Sequence, residues 1–479
     1  MQGPIITESS VESPGVPPQL AEHTSYVWAI AIVAALGGLL FGYDWVVIGG
    51  AREFYEQYFH LTSSALIGWA NSCALLGCLL GSLTAGAIAD RYGRRRVLLI
   101  AAILFAISSA LTGWAFSFSS FIFWRIAGGT AIGLSSNVSP LYIAEISPAA
   151  VRGRLVSLNQ FAIVVGILTA QIVNWLIARP VPTGLSAVEA LQSWNVQYGW
   201  RWMFTAVVVP AIIFTAASLF IPESPRWLIA RADAVEARRI LTRIGGKGYS
   251  DYEFNSIEHS LLATVNERSS WTELLRPGIR RLVFIGIALA VLQQWTGINT
   301  LFNYASEVYR RAGYGTSDIL LNIVITGTIN LVFTILAMLL VDRIGRRPLM
   351  IFGCIGIGAS HLLCALAYHA SWPGTAVLAL TLSAIACYAL TLAPITWVLI
   401  AEIFPNRVRS HGVSAAVSAL WNASFVLTYT FPIFNSHFGT GSIFLGYGVI
   451  CILGCGFVAF FVPETRGQSL EEIESSLAS

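Results

Sequence analysis

Between residues 27 and 462 the chain repeatedly enters apolar stretches of bilayer-spanning length, and no other feature limits its fold so severely. A helix needs about 20 apolar residues to cross the hydrocarbon core. Segments of that kind lie near 27–50, 64–89, 96–116, 119–143, 153–178, 200–221, 280–308, 318–341, 348–368, 374–400, 411–434 and 441–462. Lipid cannot satisfy a backbone N–H or C=O, so each segment must close its own hydrogen bonds as a helix. Only 11% of residues are charged against 56% hydrophobic, which excludes an ordinary soluble protein. The expected fold class is an all-α membrane protein of twelve transmembrane helices in two six-helix bundles. Residues 1–25 form a polar tail, 26–221 the first bundle, 222–279 a helical linker, 280–462 the second bundle and 463–479 a second tail.

Arginines decide the orientation, because basic residues collect in cytoplasmic loops. One set of loops carries Arg91, Arg94, Arg95 and Arg96; Arg152 and Arg154; the linker; Arg343, Arg346 and Arg347; and Arg407 and Arg409. The alternate loops hold little besides Arg52 with acidic neighbours, Arg179 and the Arg310–Arg311 pair. Both termini are therefore expected in the cytoplasm of a multi-pass cell-membrane protein. The first 25 residues lack the basic region of a signal peptide. In the linker, Leu228, Ala232, Val235, Ile240, Leu241 and Ile244 repeat at helical spacing and stop at Gly245–Gly246. A second amphipathic helix is expected over 252–265 and a short third over 271–275.

Several chemistries are absent from the pattern. All seven cysteines fall in apolar stretches and read as small buried hydrophobes, so neither a disulfide framework nor a metal site is suggested. Gly245-Gly-Lys-Gly248 lacks the spacing of a phosphate loop. No Ser/His, paired-Asp or His-rich constellation occurs in the spans, and His361 and His411 stand alone, so an enzyme is not expected. No cofactor and no nucleic-acid partner is implied.

Two polar features interrupt the apolar spans. The first runs from Ala290 to Tyr304 and carries Gln293, Gln294, Thr296, Asn299, Thr300 and Asn303. On a helix much of this polarity shares one face. Amides at that depth must face protein or a wet cavity. They could bridge helices, a common use of Asn and Gln in membranes. Six polar side chains in one span favour a binding face instead. Amides offer donors and acceptors together, which suits a neutral ligand rich in hydroxyl groups. Gly297 is the point where this helix is expected to bend or unwind. The second feature is Asp44, a carboxylate inside the first span, for which Arg125 in the fourth is the basic partner. The pair favours an ionised carboxylate; separation in a dry environment would let Asp44 take a proton. A static structural ion pair is the plainer alternative.

The two halves echo each other. Asp90-Arg-Tyr-Gly-Arg-Arg95 returns as Asp342-Arg-Ile-Gly-Arg-Arg347, and Ala144-Glu-Ile-Ser-Pro148 with Arg152 as Ala401-Glu-Ile-Phe-Pro405 with Arg409. Pro222-Glu-Ser and Pro463-Glu-Thr close the respective halves. Three motifs in one order indicate a duplication, the arrangement in which substrate sits at mid-membrane between repeats. Asp90, Arg94, Glu145, Arg152 and Glu223, with Asp342, Arg346, Glu402, Arg409 and Glu464, can form ion pairs between helix ends and lock one conformation.

On these motifs the chain resembles the sugar porters of the major facilitator superfamily, which include bacterial xylose–proton and glucose–proton symporters and animal glucose facilitators. Trp124-Arg-Ile-Ala-Gly-Gly129, Pro222-Glu-Ser-Pro-Arg226, Gln293-Gln294 with Gly297-Ile-Asn299, and Pro463-Glu-Thr-Arg-Gly467 complete the ordered set over residues 26–470. The resemblance implies that Gln293, Gln294 and Asn299 bind sugar hydroxyls, with Gln160 from the first half and Asn330 and Trp397 from the second. An indole face suits the C–H surface of a pyranose, and its N–H can donate. The chain departs from the family at Leu420, where an amide is usual, at Asn303, where a tyrosine is usual, and at Ala393, where a glycine is usual. Aspartate at 44 resembles the symporters, whereas facilitators carry asparagine there. The expectation is proton-coupled symport of a hexose or pentose by alternating access, with a uniporter or a polyol symporter as the alternative. A transporter-like nutrient sensor is a third option, to which the short tails lend no support.

Overall fold

A computed structural model describes residues 24–180, 187–265, 271–405 and 408–464. The first half contains α1 (Thr24–Tyr58), α2 (Ser64–Tyr92), α3 (Arg94–Gly113), α4 (Phe118–Ile146) and α5 (Arg152–Ile177). Its sixth span is assembled from α6 (Ala187–Leu191), a π-helical turn at Asn195–Gly199, α7 (Trp200–Thr205) and α8 (Val208–Ser218). This span begins about a dozen residues before the expected start at 200, because the polar run Gln192–Gln197 masks it.

Between the halves lie α9 (Pro225–Ala230), α10 (Ala234–Val265) and a 3₁₀ turn at Trp271–Leu275. α10 breaks at Gly246, at φ +85° and ψ 177°, so one helix ends at the Gly–Gly pair as expected, and the next begins directly after it, ahead of the expected 252. The second half comprises α11 (Pro277–Trp295), α12 (Ile298–Asn303), α13 (Ala305–Arg311), α14 (Thr316–Ile344), α15 (Arg346–His369), α16 (Gly374–Leu390), α17 (Leu392–Glu402) and α18 (Arg409–Phe461).

Among the described residues, ten helices are long and apolar enough to cross a membrane. That count takes the 53-residue α18 once, although it breaks at Gly439 into two spans. It also passes over α4, 29 residues long, whose polar content lowers its hydropathy. Dividing the one and adding the other yields the twelve transmembrane helices of the major facilitator fold.

Helices α1 to α8 pack mainly on one another, as do α11 to α18. Across the divide, α1 meets α12 and α13, α2 meets α18, and α5 meets α14. The side where α2 ends and α3 begins is the arginine-rich face; α1 ends on the opposite, arginine-poor face. Close approaches between halves occur in the arginine-poor half of the membrane. Gly68, near the start of α2, lies against the Tyr429 carbonyl, and Gly327 against Gln171 near the end of α5. Among the described residues, these close approaches between the halves lie toward one face.

The repeated Asp-Arg-x-Gly-Arg-Arg turns have a shared backbone cause. Gly93 and Gly345 sit at φ +94° and +107°, where an L side chain is strained. A Cβ on Gly93 would also lie 2.3 Å from Glu223 Oε2, and one on Gly345 2.8 Å from Glu464 Oε2. Each glutamate accepts from the first backbone N–H groups of the next helix: Glu223 from Arg94 at 2.8 Å and Arg95 at 3.1 Å, Glu464 from Arg346 at 3.0 Å and Arg347 at 3.1 Å. A carboxylate there satisfies orphan donors and complements the helix dipole. The acid that closes each half therefore caps a helix begun about 120 residues earlier.

Candidate functional site

The polar stretch of the seventh span is folded around a break. Gly297 has φ +83° and separates α11 from α12, and a Cβ there would lie 2.2 Å from the Tyr447 ring. The break turns the amides inward: Gln293, Gln294, Asn299 and Asn303 are all buried, at 3–7% exposure. They are linked to one another. Gln294 Nε2 donates to Gln293 Oε1 at 3.2 Å, and Asn299 Nδ2 donates to Gln294 Oε1 and, at 3.5 Å, to Ser424 Oγ.

Partners from neighbouring helices fix this chain of amides in place. Gln293 Nε2 donates to the carbonyls of Leu392 and Ala393 at 3.1 and 3.2 Å. Those carbonyls stand just past a second break at Thr391, between α16 and α17, which the apolar run 374–400 had concealed. Thr300 and Tyr447 share a hydroxyl–hydroxyl bond of 2.9 Å, and His361 Nε2 meets the Thr296 carbonyl at 2.8 Å. Two broken helices and α18 therefore converge on one polar surface in the second half. Such a surface can exchange its amide–amide bonds for bonds to a ligand with alternating donors and acceptors.

Of the other residues the resemblance implied, Gln160 on α5 is half-buried and Asn330 on α14 is buried. Neither has a hydrogen-bond partner among the described residues. Trp397 on α17 is 37% exposed and likewise unpaired. The buried indole at the boundary between the halves is instead Trp421, with ring centroids 6.0 Å from Phe41 and 5.8 Å from Trp45. Its Nε1 lacks a partner. Trp421 follows Leu420 in the chain, and nothing local marks its side chain as the one at the boundary.

Asp44 and Arg125 meet in the first half. Arg125 Nη1 donates to both carboxylate oxygens, at 3.2 and 3.1 Å, and both residues are 2–3% exposed. The guanidinium also lies 5.3 Å from the Phe204 ring centre. A cavity of about 20 Å³ adjoins Arg125 and is shared with Asn71 on α2 and Asn303 on α12. Arg125 of the coupling pair and Asn303 of the amide stretch thus border one space.

Each face carries its own ion pairs. On the arginine-rich face, Arg94 binds Glu145 at 3.0 and 3.1 Å and Asp90 at 3.1 Å, and Arg346 binds Glu402 at 3.5 Å. All of these lie within one half. Arg152 and Arg409 do not reach Glu145 and Glu402, against the expected spacing. Each turns back to a carbonyl of its own loop, Ser147 at 3.3 Å and Phe404 at 3.2 Å. The helix turn directs Arg94 to Glu145 first. The Asp342 side chain lies outside the described residues.

The arginine-poor face holds a cluster that the sequence reading had counted only as loop charge. Buried Arg52 binds Glu56 at 2.6 Å and Glu307 at 3.8 Å and lies 4.7 Å from the Tyr304 ring centre. Arg310 pairs with Glu53, and Glu307 also accepts from Arg311 at 2.8 Å and Asn435 at 3.3 Å. Of these, Arg52–Glu307 and Arg310–Glu53 cross from α1 to α13 and fasten the halves together.

A duplicated helical bundle with a polar surface between its halves, a mid-membrane carboxylate–guanidinium pair and one face fastened shut defines a secondary transporter of the major facilitator type. The family model described as "Sugar (and other) transporter" matches residues 30–477, and the chain belongs to that family. It is 38% identical to the D-xylose-proton symporter of Escherichia coli, covering 95% of this chain and 96% of that protein. It is 36% identical to the arabinose-proton symporter of Bacillus subtilis, over 96% and 97%. Among solved structures, the partially occluded inward-open xylose transporter of E. coli superposes with a TM-score of 0.82 at 37% identity, covering 93% of this chain and all of that one. The same transporter bound to 6-bromo-6-deoxy-D-glucose gives 0.77, over 95% and 100%. The protein is a multi-pass transporter of the plasma membrane.

Proposed function

We propose that this protein couples the entry of one monosaccharide, a hexose or pentose, to the entry of protons by alternating access. The observation that carries this reading is the buried Asp44–Arg125 pair, whose Arg125 borders the same cavity as Asn303 of the amide stretch. A facilitator needs only the sugar surface; a titratable carboxylate held dry beside it is costly unless it takes part in transport. The symporter names of the relatives above point the same way.

Gln293, Gln294 and Asn299 form the sugar surface, and Gln160 and Asn330 have amides free to join it. Either Trp397 or Trp421 supplies the indole that lies against the sugar ring. The arginine-rich face is cytoplasmic by the positive-inside rule, and it is the open side. The cluster around Arg52 and Glu307 then serves as the outer closure. The paired motifs around Arg94 and Arg346 hold each half rigid here and join the halves when the inner side closes. The protein works as a monomer in this scheme.

Purified protein in liposomes with an imposed pH gradient tests the proposal. A gradient of one unit stores about 1.36 kcal/mol per proton, enough for about tenfold accumulation at one proton per sugar. Labelled hexoses, pentoses and polyols offered in turn define the substrate. Saturable exchange of a sugar without gradient-driven accumulation would make the protein a facilitator and remove the coupling claim.

A further inference from the structure

We infer that the small cavity between α1, α2, α4 and α12 is a fixed water site, with Asn71 and Asn303 as the positioning residues that hold Arg125 in register with Asp44 through it. The inference rests on the symport reading and gives it a physical link between sugar and proton.

The chemistry of the lining carries the argument. Asn71, Arg125 and Asn303 all line the cavity and are 3–4% exposed. Each leaves one buried polar atom with no partner: Arg125 Nε, Asn71 Oδ1 and Asn303 Oδ1. The orientation of Asn71 is settled, since its Nδ2 donates to the Ile67 carbonyl at 2.9 Å. One donor and two acceptors remain. A water molecule donates two hydrogen bonds and accepts up to two, so it can serve both acceptors and the one donor. The volume matches as well, because about 10–15 Å³ holds one water and the cavity measures about 20 Å³. Trp45, Ile48, Ala74, Leu75, Cys78 and Ile132 complete the lining, so these three side chains are the polar groups that can hold a water there.

Location gives the water its role. Asn71 and Arg125 belong to the first half, while Asn303 ends α12, the fragment that follows the Gly297 break and begins with Ile298–Asn299. Arg125 spends Nη1 on both oxygens of Asp44, and Nε is its fully buried atom left without a partner, through which its orientation can be held from the other half. Sugar binding that draws α12 toward the ligand removes one of the water's three partners. The guanidinium is then free to swing away from Asp44, which favours protonation. Deprotonation later requires the same water to guide Arg125 back.

The test separates cycling of the empty carrier from exchange of the loaded one. Counterflow never returns an empty carrier, so it does not need Arg125 to re-pair with Asp44; gradient-driven accumulation does. Asn71→Leu should lower accumulation about fivefold, the effect of one lost hydrogen bond, while the KM for counterflow moves less than twofold. Asn71→Ser, which restores an acceptor oxygen, should recover most of it. Asn303→Leu should lower accumulation similarly, and the double variant should add little, because all the bonds pass through one molecule. Equal losses in accumulation and counterflow, or additive effects, overturn the water site. A high-resolution experimental map gives an answer that does not depend on how the variants fold. It should show a density peak within about 2.7–3.2 Å of the three atoms; a collapsed or dry cavity overturns the proposal. If the unaltered protein exchanges sugar but never accumulates it, the symport reading fails first, and this outcome is distinct from the others.

Discussion

Replacing Asp44 by asparagine keeps the shape and one carbonyl oxygen of the side chain while removing its charge and its proton. In the structure Arg125 Nη1 reaches both carboxylate oxygens, at 3.2 and 3.1 Å, with the two side chains almost wholly buried. Removing one partner from such a pair costs about 3–5 kcal/mol, because the other charge stays buried. The asparagine carbonyl still accepts one bond, and the Phe204 ring 5.3 Å away gives the cation some support. The loss should therefore fall near the lower end of that range, which leaves a folded protein with reduced thermal stability. The functional effect is larger in kind. Without a group that alternates between charged and neutral, a pH gradient of one unit has nothing to act on. Accumulation in liposomes should fall from about tenfold to the equilibrium ratio of one, while counterflow of the same sugar persists. Asp44→Asn protein that still concentrates sugar severalfold would refute the assignment of the proton to this carboxylate.

Three further substitutions probe the rest of the site. Gly297→Ala puts a methyl group 2.2 Å from the Tyr447 ring at a φ of +83°. It should disrupt the Thr300–Tyr447 bond and weaken sugar binding at least tenfold, read by tryptophan fluorescence quenching; binding within twofold of the parent argues against the break as part of the site. Gln293→Leu removes the donors to the Leu392 and Ala393 carbonyls and the acceptor for Gln294. Sugar affinity should drop about tenfold with no change in the accumulation ratio at saturating sugar, and a changed ratio would move Gln293 into the coupling machinery. Gly49→Leu drives a side chain into the Phe302 carbonyl, 2.3 Å from where Cβ must sit. It should wedge open the arginine-poor face, abolishing uptake while sugar still binds, with single cysteines near Glu53 and Arg310 becoming reactive to membrane-impermeant thiol reagents. Unchanged labelling would show that this contact does not close the face.

Some of this was legible because it is written in local chemistry. Apolar runs of spanning length give membrane helices without reference to any partner. A repeated motif announces its own duplication, and a glycine among amides marks where a helix breaks, as Gly297 does. The break at Thr391 escaped, because an apolar run looks the same whether its helix is continuous or interrupted, and the early start of the sixth span escaped behind the polar residues at 192–197. The pairing of Arg94 with Glu145 in place of Arg152 escaped for a different reason: the two are 51 residues apart and adjacent only once α3 and α4 are packed.

The sequence by itself determined that the chain is a duplicated helical bundle in a membrane, with costly polar groups at mid-depth. That follows from the absence of hydrogen-bonding solvent in lipid, which any one segment feels alone. Only the tertiary structure decided which lone polar residues face each other. Asn71, Trp421 and the Arg52–Glu307 cluster carry no local signature, since the face a residue turns inward depends on how its helix crosses its neighbours. The open face is likewise a property of contacts between halves, and no single helix encodes it.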